Sequence, residues 1–108
     1  MTKILLIDSS RTFVDGRTHF RAFNCNEAIR QLNKLEGQID EIWIDYDLNG
    51  GTVNLLSFLS LRAKIGSPYK VARIVVHGPS EAGWQVLSAR LGNWGYRVVR
   101  GTVRDTLA

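Results

Sequence analysis

Four polar residues lie at or just beyond the ends of short apolar runs and could together do chemistry. Asp8 and Asp45 each end such a run, Asp47 follows two residues later, and His77 ends a third run. If the runs are parallel strands, their carboxyl ends meet at one edge of the sheet, where ligands and catalytic groups collect. Clustered carboxylates suit a hard cation such as Mg²⁺. The sequence therefore predicts an acidic pocket of Asp8, Asp45 and Asp47, with weak Mg²⁺ binding through Asp8 and Asp45.

A structural role is the competing interpretation of the same residues. Acids at strand ends often cap the loop that follows, by accepting hydrogen bonds from its backbone amides. His77 is a poor ligand for Mg²⁺, and a lone histidine at a strand end is more often a hydrogen-bonded structural residue than a ligand. Both interpretations stay open at this point.

Alternating strand and helix signals predict the elements that would position these residues. Apolar runs too short for helices indicate buried strands, and one alternating stretch indicates an edge strand. The predicted strands span residues 3–8, 18–23, 41–45, 71–77 and 96–100. Strands separated by helices indicate right-handed crossovers, so we expect one doubly wound α/β domain with a five-stranded parallel sheet in the order 2-1-3-4-5.

Three helices are predicted between these strands from capping residues and apolar stripes. Asn24 followed three residues later by Glu27 resembles a capping box, in which a side chain satisfies the free amides of the first turn. Glycines in the left-handed conformation typically end such helices. The predicted N-caps are Asn24, Thr52 and Ser80, and the predicted ends lie near Gly37, Ile65 and Gly92.

Two crossover helices of the full doubly wound plan are absent. Only the polar, glycine-containing residues 9–17 separate the first two strands, and the chain after the fifth strand is too short for a further packed helix. One sheet face therefore looks bare. Yet three strands are apolar on both sides, which is costly to expose, through Ile4, Leu5, Leu6 and Ile7, through Ile42, Trp43 and Ile44, and through Ile74, Val75 and Val76. We expect a second copy of the chain to cover it in a homodimer, or the 9–17 loop and the tail to cover part of it.

Composition predicts one soluble, cytoplasmic domain spanning residues 1–108. A chain of 108 residues that is 44% hydrophobic can build a core without disulfides, and its single cysteine, Cys25, cannot form an internal bridge. No apolar run approaches the length of a membrane span, and the N-terminus has no signal-peptide pattern.

The positive charge is spread along the sequence. The formal net charge is +4, but the basic residues form no run, and only Arg97, Arg100 and Arg104 gather near one end. Dispersed charge is typical of a solvated surface, so nucleic-acid binding is not expected. The alternative is a contact through those three arginines, with Trp94 stacking on a base.

Short motifs around these strand ends resemble those of response-regulator receiver domains, especially a shortened branch in phage and conflict-system loci that also lacks the first helix. The resemblance implies a flavodoxin-like, receiver-like sheet without the first and fifth helices. It covers roughly residues 4–92. The matching stretches are Ile7-Asp8-Ser9-Ser10-Arg11, Ile44-Asp45-Tyr46-Asp47-Leu48-Asn49-Gly50, Gly51-Thr52-Val53-Asn54 and Val76-His77-Gly78.

Three positions depart from the ordinary receiver pattern. The resemblance makes Asp45 the counterpart of the phosphoacceptor and Asp8 one of the paired acids that hold Mg²⁺. Ser9 stands where the second acid would be, His77 where Thr or Ser would be, and Arg100 where Lys would be. These substitutions imply a degenerate pocket that is not phosphorylated in the ordinary way and needs no cofactor.

The resemblance therefore predicts a non-enzymatic signalling module that binds a partner protein, as a phage or defence-locus protein acting on a host would. Asp45-x-Asp47 also resembles the strand end of Toprim-type nucleases and primases, where paired acids hold Mg²⁺ for phosphodiester chemistry, with Asp8 as the third acid. A Mg²⁺-dependent nuclease or primase fragment is the alternative function, and nucleic-acid binding without catalysis is the second alternative.

Overall fold

A computed structural model describes residues 2–46, 48, 52–78, 81–101 and 106–108. Within these residues, no helix is both long and apolar enough to cross a membrane. Every predicted strand and helix is present, although most strands are shorter than predicted. The elements are β1 (Ile4–Ile7), β2 (Phe20–Ala22), α1 (Cys25–Leu35), β3 (Glu41–Asp45), α2 (Val53–Lys64), β4 (Arg73–His77), α3 (Glu81–Asn93) and β5 (Val98–Arg100).

The five strands form one parallel sheet in the order β2-β1-β3-β4-β5. This confirms the predicted order and the flavodoxin-like fold. The pairing register sets the positions of the polar residues, because Ile7 lies opposite Ile44 and Asp45 lies opposite His77. Asp8, Asp45 and His77 therefore reach the carboxyl edge of the sheet at the same level.

The start of α1 follows from its capping residues. The Asn24 side chain accepts a hydrogen bond from the backbone N–H of Glu27 at 2.9 Å, as predicted. The Glu27 carboxylate accepts from the backbone N–H of Phe23 at 2.7 Å, so it satisfies the amide before the N-cap. Gly37 has a φ of 83° and ends the helix in the predicted left-handed conformation.

The predicted N-caps of the other two helices are Thr52 for α2 and Ser80 for α3. Thr52 stands at the N-cap of α2, but its side chain makes no capping hydrogen bond, so the predicted role of its hydroxyl is wrong. Its backbone is in the right-handed helical region, whereas a capping side chain normally projects from extended backbone. Ser80, the predicted cap of α3, lies outside the described residues.

The three helices cover one face of the sheet and form the main core. Leu5 and Ile7 of β1 and Ile42 and Ile44 of β3 point toward the helices and are completely buried. The helices contribute further buried side chains to the same cluster, among them Leu32, Leu55, Leu59, Leu87 and Leu91. Burial of apolar surface on this scale is the main force that holds the sheet and helices together.

The opposite face of the sheet is not bare, because the chain itself covers it. The alternative expectation, that the 9–17 loop and the tail cover part of this face, is confirmed. Ile4, Leu6, Trp43 and Val75 are each at most 7% exposed in a second apolar cluster, which Phe13 of the 9–17 loop and Leu107 of the tail complete. Backbone hydrogen bonds join the loop to the tail, from Thr12 N–H to Ala108 O at 2.9 Å and back at 3.0 Å. The homodimer stays a prediction, although the uncovered surface that motivated it is absent here.

Close packing of Tyr46 against α3 fixes the backbone just after Asp45. A Cβ atom at Gly83 would overlap the Tyr46 ring, whereas a Cβ at Gly92, in the same helix, meets nothing within 4 Å. We expect Gly83→Ala to destabilise the protein by about 1–3 kcal/mol, because the ring must move, and Gly92→Ala to be neutral or stabilising by up to about 1 kcal/mol. Urea unfolding of the two variants measures the difference, and equal stabilities would contradict this packing.

Candidate functional site

The structure brings Asp8, Asp45 and His77 together at the carboxyl edge of the sheet. One potential ligand atom from each residue lies within 4.8 Å of the others. All three residues are buried, with exposed fractions of 0%, 5% and 2%. The third acid of the predicted pocket, Asp47, lies outside the described residues, as does Asn49. Asp8, Asp45 and His77 therefore lie close together, as expected from their positions at the strand ends.

The guanidinium group of Arg11 joins the two carboxylates. Its Nε donates to Asp8 Oδ2 at 3.0 Å, and its Nη2 lies 3.1 Å from Asp45 Oδ2. The Arg11 side chain is 22% exposed, so it closes the pocket toward solvent. Charge-assisted hydrogen bonds of this kind are about twice as strong as neutral ones. One positive charge therefore lies between two carboxylates and offsets part of their negative charge.

Sequence reasoning missed this role of Arg11. The residue stands within the first receiver-like stretch, but the pattern alone assigned it no function. The available signal was its position three residues after Asp8, which places a cation within reach of that acid once the loop turns. Its second contact, to Asp45, reaches the end of the neighbouring strand β3 and has no sequence signal.

Asp8 also caps the loop that follows β1. Its Oδ1 accepts hydrogen bonds from the backbone N–H groups of Ser10 at 2.9 Å and Arg11 at 2.8 Å. The competing structural interpretation therefore holds for Asp8, since the carboxylate fixes the turn. The same turn brings the Arg11 side chain back over the pocket, so the capping role and the ion pair support each other.

His77 is an uncharged member of the site. Burial lowers the pKa of His77 from 6.5 to about 4, and the nearby Asp8 carboxylate only partly opposes this shift. Its Nδ1 lies 3.7 Å from Asp8 Oδ2, and its ring lies 5.9 Å from the Trp43 ring. Neither ring nitrogen has a hydrogen-bond partner among the described residues. The imidazole is neutral at neutral pH and adds no positive charge beside the acids.

Ser9 and Arg100, the other two positions that depart from the receiver pattern, lie in different surroundings. Ser9 is partly exposed and directly follows Asp8. The Arg100 side chain pairs with Glu81 of α3 and lies over the Trp84 ring at 5.6 Å. The Arg100 side chain therefore contacts α3. It does not contact the two acids, as the lysine of the receiver pattern would. Arg104, of the same basic end, lies outside the described residues.

A divalent cation does not fit this side-chain arrangement. Mg²⁺ would need carboxylate oxygens, but Oδ2 of both acids contacts Arg11, and Oδ1 of Asp8 accepts two backbone hydrogen bonds. Ser9 supplies no second acid. Three of the four carboxylate oxygens of Asp8 and Asp45 are therefore already engaged by groups of the chain itself.

Comparison with known proteins identifies no relative for this arrangement: no family model, no curated protein and no solved structure matches the chain. The receiver-like and Toprim-like interpretations therefore stay predictions that rest on the short motifs. The second acid of the Toprim-like pair is Asp47, which is outside the described residues.

Proposed function

We propose that this chain is an atypical, receiver-like interaction module that acts by binding a partner protein and not by phosphotransfer. The observation that carries the proposal is the Arg11 guanidinium group, which bridges Asp8 and Asp45 at hydrogen-bond distance. In this module the chain supplies its own cation, at the place where an ordinary receiver would hold Mg²⁺.

The state of Asp45 argues against a role as a phosphoacceptor. A carboxylate that attacks a phosphoryl group must be accessible to the phosphoryl donor. Asp45 is only 5% exposed, and its Oδ2 contacts Arg11. His77 is a neutral, buried imidazole where a hydroxyl would read the phosphate. Ser9 and His77 thus stand where the receiver chemistry would use a second acid and a hydroxyl.

A protein partner is supported by exposed apolar side chains on the helices. Leu61 and Ile65 are 59% and 64% exposed, and their spacing of four residues places them side by side on α2 and its C-terminal end. Val53 of α2 and Val86 of α3 are also exposed. Contiguous exposed apolar patches mark surfaces that another protein covers, and Leu61 and Ile65 are the neighbouring pair from which such a patch would extend. The phage and conflict-system resemblance makes a host protein the partner that we propose.

The direct test is phosphorylation with a small-molecule donor. The protein is incubated with acetyl phosphate and Mg²⁺, with an ordinary receiver domain as the positive control, and intact masses are recorded. We expect no phosphoryl adduct on this chain, because Asp45 is paired and closed off, and no Mg²⁺-dependent shift with beryllofluoride. An adduct that disappears in Asp45→Asn would overturn the proposal.

A further inference from the structure

We propose that a basic groove between β2 and α1 binds single-stranded nucleic acid. The groove has a volume of about 360 Å³, and its lining residues are Arg21, Phe23, Glu27, Arg30, Gln31 and Lys34. None of these residues belongs to the acidic pocket. The proposal goes beyond the interaction module above and stands or falls separately from it.

The charge of the groove favours a polyanion. Three of its lining side chains are positive and one is negative. The single carboxylate, that of Glu27, already accepts the backbone N–H of Phe23. Arg30 and Lys34 lie four residues apart on α1, both are exposed, and neither forms an ion pair within the described part of the chain. Like charges at this spacing repel each other, and a bound phosphate chain would relieve the repulsion.

Two contacts hold the Arg21 guanidinium group in a position from which it can bind a phosphate oxygen. Its Nη2 donates to the backbone carbonyl of Asp8 at 3.2 Å, and its guanidinium carbon lies 4.5 Å from the centre of the Phe23 ring. These two contacts fix the guanidinium group, and Arg21 lines the groove. Its positive charge there attracts an anionic oxygen.

Phe23 distinguishes nucleic acid from other anions. Its side chain is 50% exposed beside the three cations. A flat aromatic ring in a positive groove is a stacking surface for a base, and such stacking is largely independent of sequence. An acidic peptide would use the same cations but would gain little from the ring. The combination of ring and cations therefore favours a single strand with unpaired bases.

The fold assembles this groove from residues that are separated in the sequence. Arg21 comes from the edge strand β2, whereas Arg30 and Lys34 come from the outer face of α1. The sequence directed attention to the basic end at Arg97, Arg100 and Arg104, and dispersed charge argued against nucleic acid altogether. The inference departs from that expectation because the turn from β2 into α1 places the three cations around one groove, although they form no run in the sequence.

The test is fluorescence anisotropy with a labelled oligothymidylate of about 15 nucleotides. If three cations contact phosphates, the slope of log K against log salt should be about −2, so that binding weakens about 15- to 20-fold between about 50 and 200 mM salt. Absence of binding by the wild-type protein at low salt overturns the proposal.

Variants locate the contact within the groove. We expect Arg30→Glu with Lys34→Glu to weaken binding by at least about tenfold, and Phe23→Ala by about 5- to 100-fold. The control for the double charge reversal is Lys64→Glu with Arg97→Glu, which changes the net charge by the same amount outside the groove. The control for Phe23→Ala is Phe20→Ala, since Phe20 is also exposed but does not line the groove. Both controls should stay within about twofold of wild type, and circular dichroism checks that each variant is folded.

Two further outcomes overturn the proposal. If the Lys64 and Arg97 control weakens binding as much as the groove variant, the attraction comes from overall charge or from the basic end. If a polyglutamate peptide displaces the oligonucleotide efficiently and Phe23→Ala has no effect, the groove is a surface for acidic peptides. The acetyl phosphate test uses Asp45 and is unaffected by either result.

Discussion

Replacing Arg11 with alanine is expected to destabilise the protein by about 2–4 kcal/mol at neutral pH. The substitution leaves Asp8 and Asp45 buried next to each other without the cation that now lies within 3.1 Å of both. Removing one partner of a buried ion pair is costly, because the remaining charge loses its counter-ion while it stays buried. A loss of this size is a large fraction of the stability of a typical domain.

Mg²⁺ should restore part of that lost stability in the variant. Without the guanidinium group, two facing carboxylate oxygens become available to a hard cation, and ligand binding to the folded state raises the free energy of unfolding. Urea unfolding with and without millimolar MgCl₂ measures both effects. We expect wild-type stability to be insensitive to Mg²⁺, while that of Arg11→Ala increases.

The control for Arg11 is Arg100→Ala, which removes an arginine from an ion pair whose side chains are about half exposed. Exposed pairs contribute little, so we expect a loss below about 1 kcal/mol and no response to Mg²⁺. If Arg11→Ala behaved like this control, Arg11 would not be the counter-ion of the pocket. Mg²⁺ stabilisation of the wild-type protein would contradict the closed arrangement on which the proposed function rests.

The second large effect is a dependence of stability on pH that arises from His77. The pKa of His77 is about 4 in the folded state, compared with 6.5 for an unperturbed histidine, because burial disfavours the charged ring. The unfolded chain therefore binds a proton that the folded chain does not. The stability that His77 contributes is present above pH 6.5 and is lost as the pH falls from about 6.5 to about 4. The shift corresponds to about 3 kcal/mol over that interval.

Replacing His77 with leucine, an uncharged residue of similar size, tests this contribution. Lowering the pH from about 7 to about 4 reduces the free energy of unfolding of wild type. We expect the reduction in His77→Leu to be smaller by about 2–3 kcal/mol, because only wild type loses the histidine contribution. The chain has one other histidine, His19, and a His19→Gln variant retains the buried ring and should keep the wild-type slope. Parallel pH profiles for wild type and His77→Leu would show that His77 is not the titrating group.

Arg11 gives a physical account of how the pocket differs from that of the receiver domains it resembles. In those domains, paired acids require a cation from solution, so occupancy depends on metal. Here the cation is covalently part of the chain, and Asp8 fixes the turn that delivers it by accepting two backbone hydrogen bonds. The site is therefore expected to be the same with and without Mg²⁺, which suits a module that binds and does not switch by phosphorylation.

The fold was predictable from the sequence because its signals are local. Runs of buried residues in β1, β3 and β4 indicated strands covered on both faces, and the helices between them required a parallel sheet. Asn24 and Gly37 marked the ends of α1 through hydrogen bonding and backbone conformation at those positions. The failure at Thr52 is also local, since the backbone there is helical and its hydroxyl makes no capping bond.

The sequence by itself determined the sheet order and the convergence of Asp8, Asp45 and His77, because strand ends in a parallel sheet share one edge. Only the tertiary structure decided three further features: Arg11 lies between the acids, Phe13 and Leu107 cover the second face, and the basic groove forms between β2 and α1. Each depends on the path that the chain takes between or beyond the strands: the loop after β1, the tail, and the turn from β2 into α1. Periodicity and capping report on neighbouring residues, whereas the charge balance of a buried site depends on which side chains packing brings together.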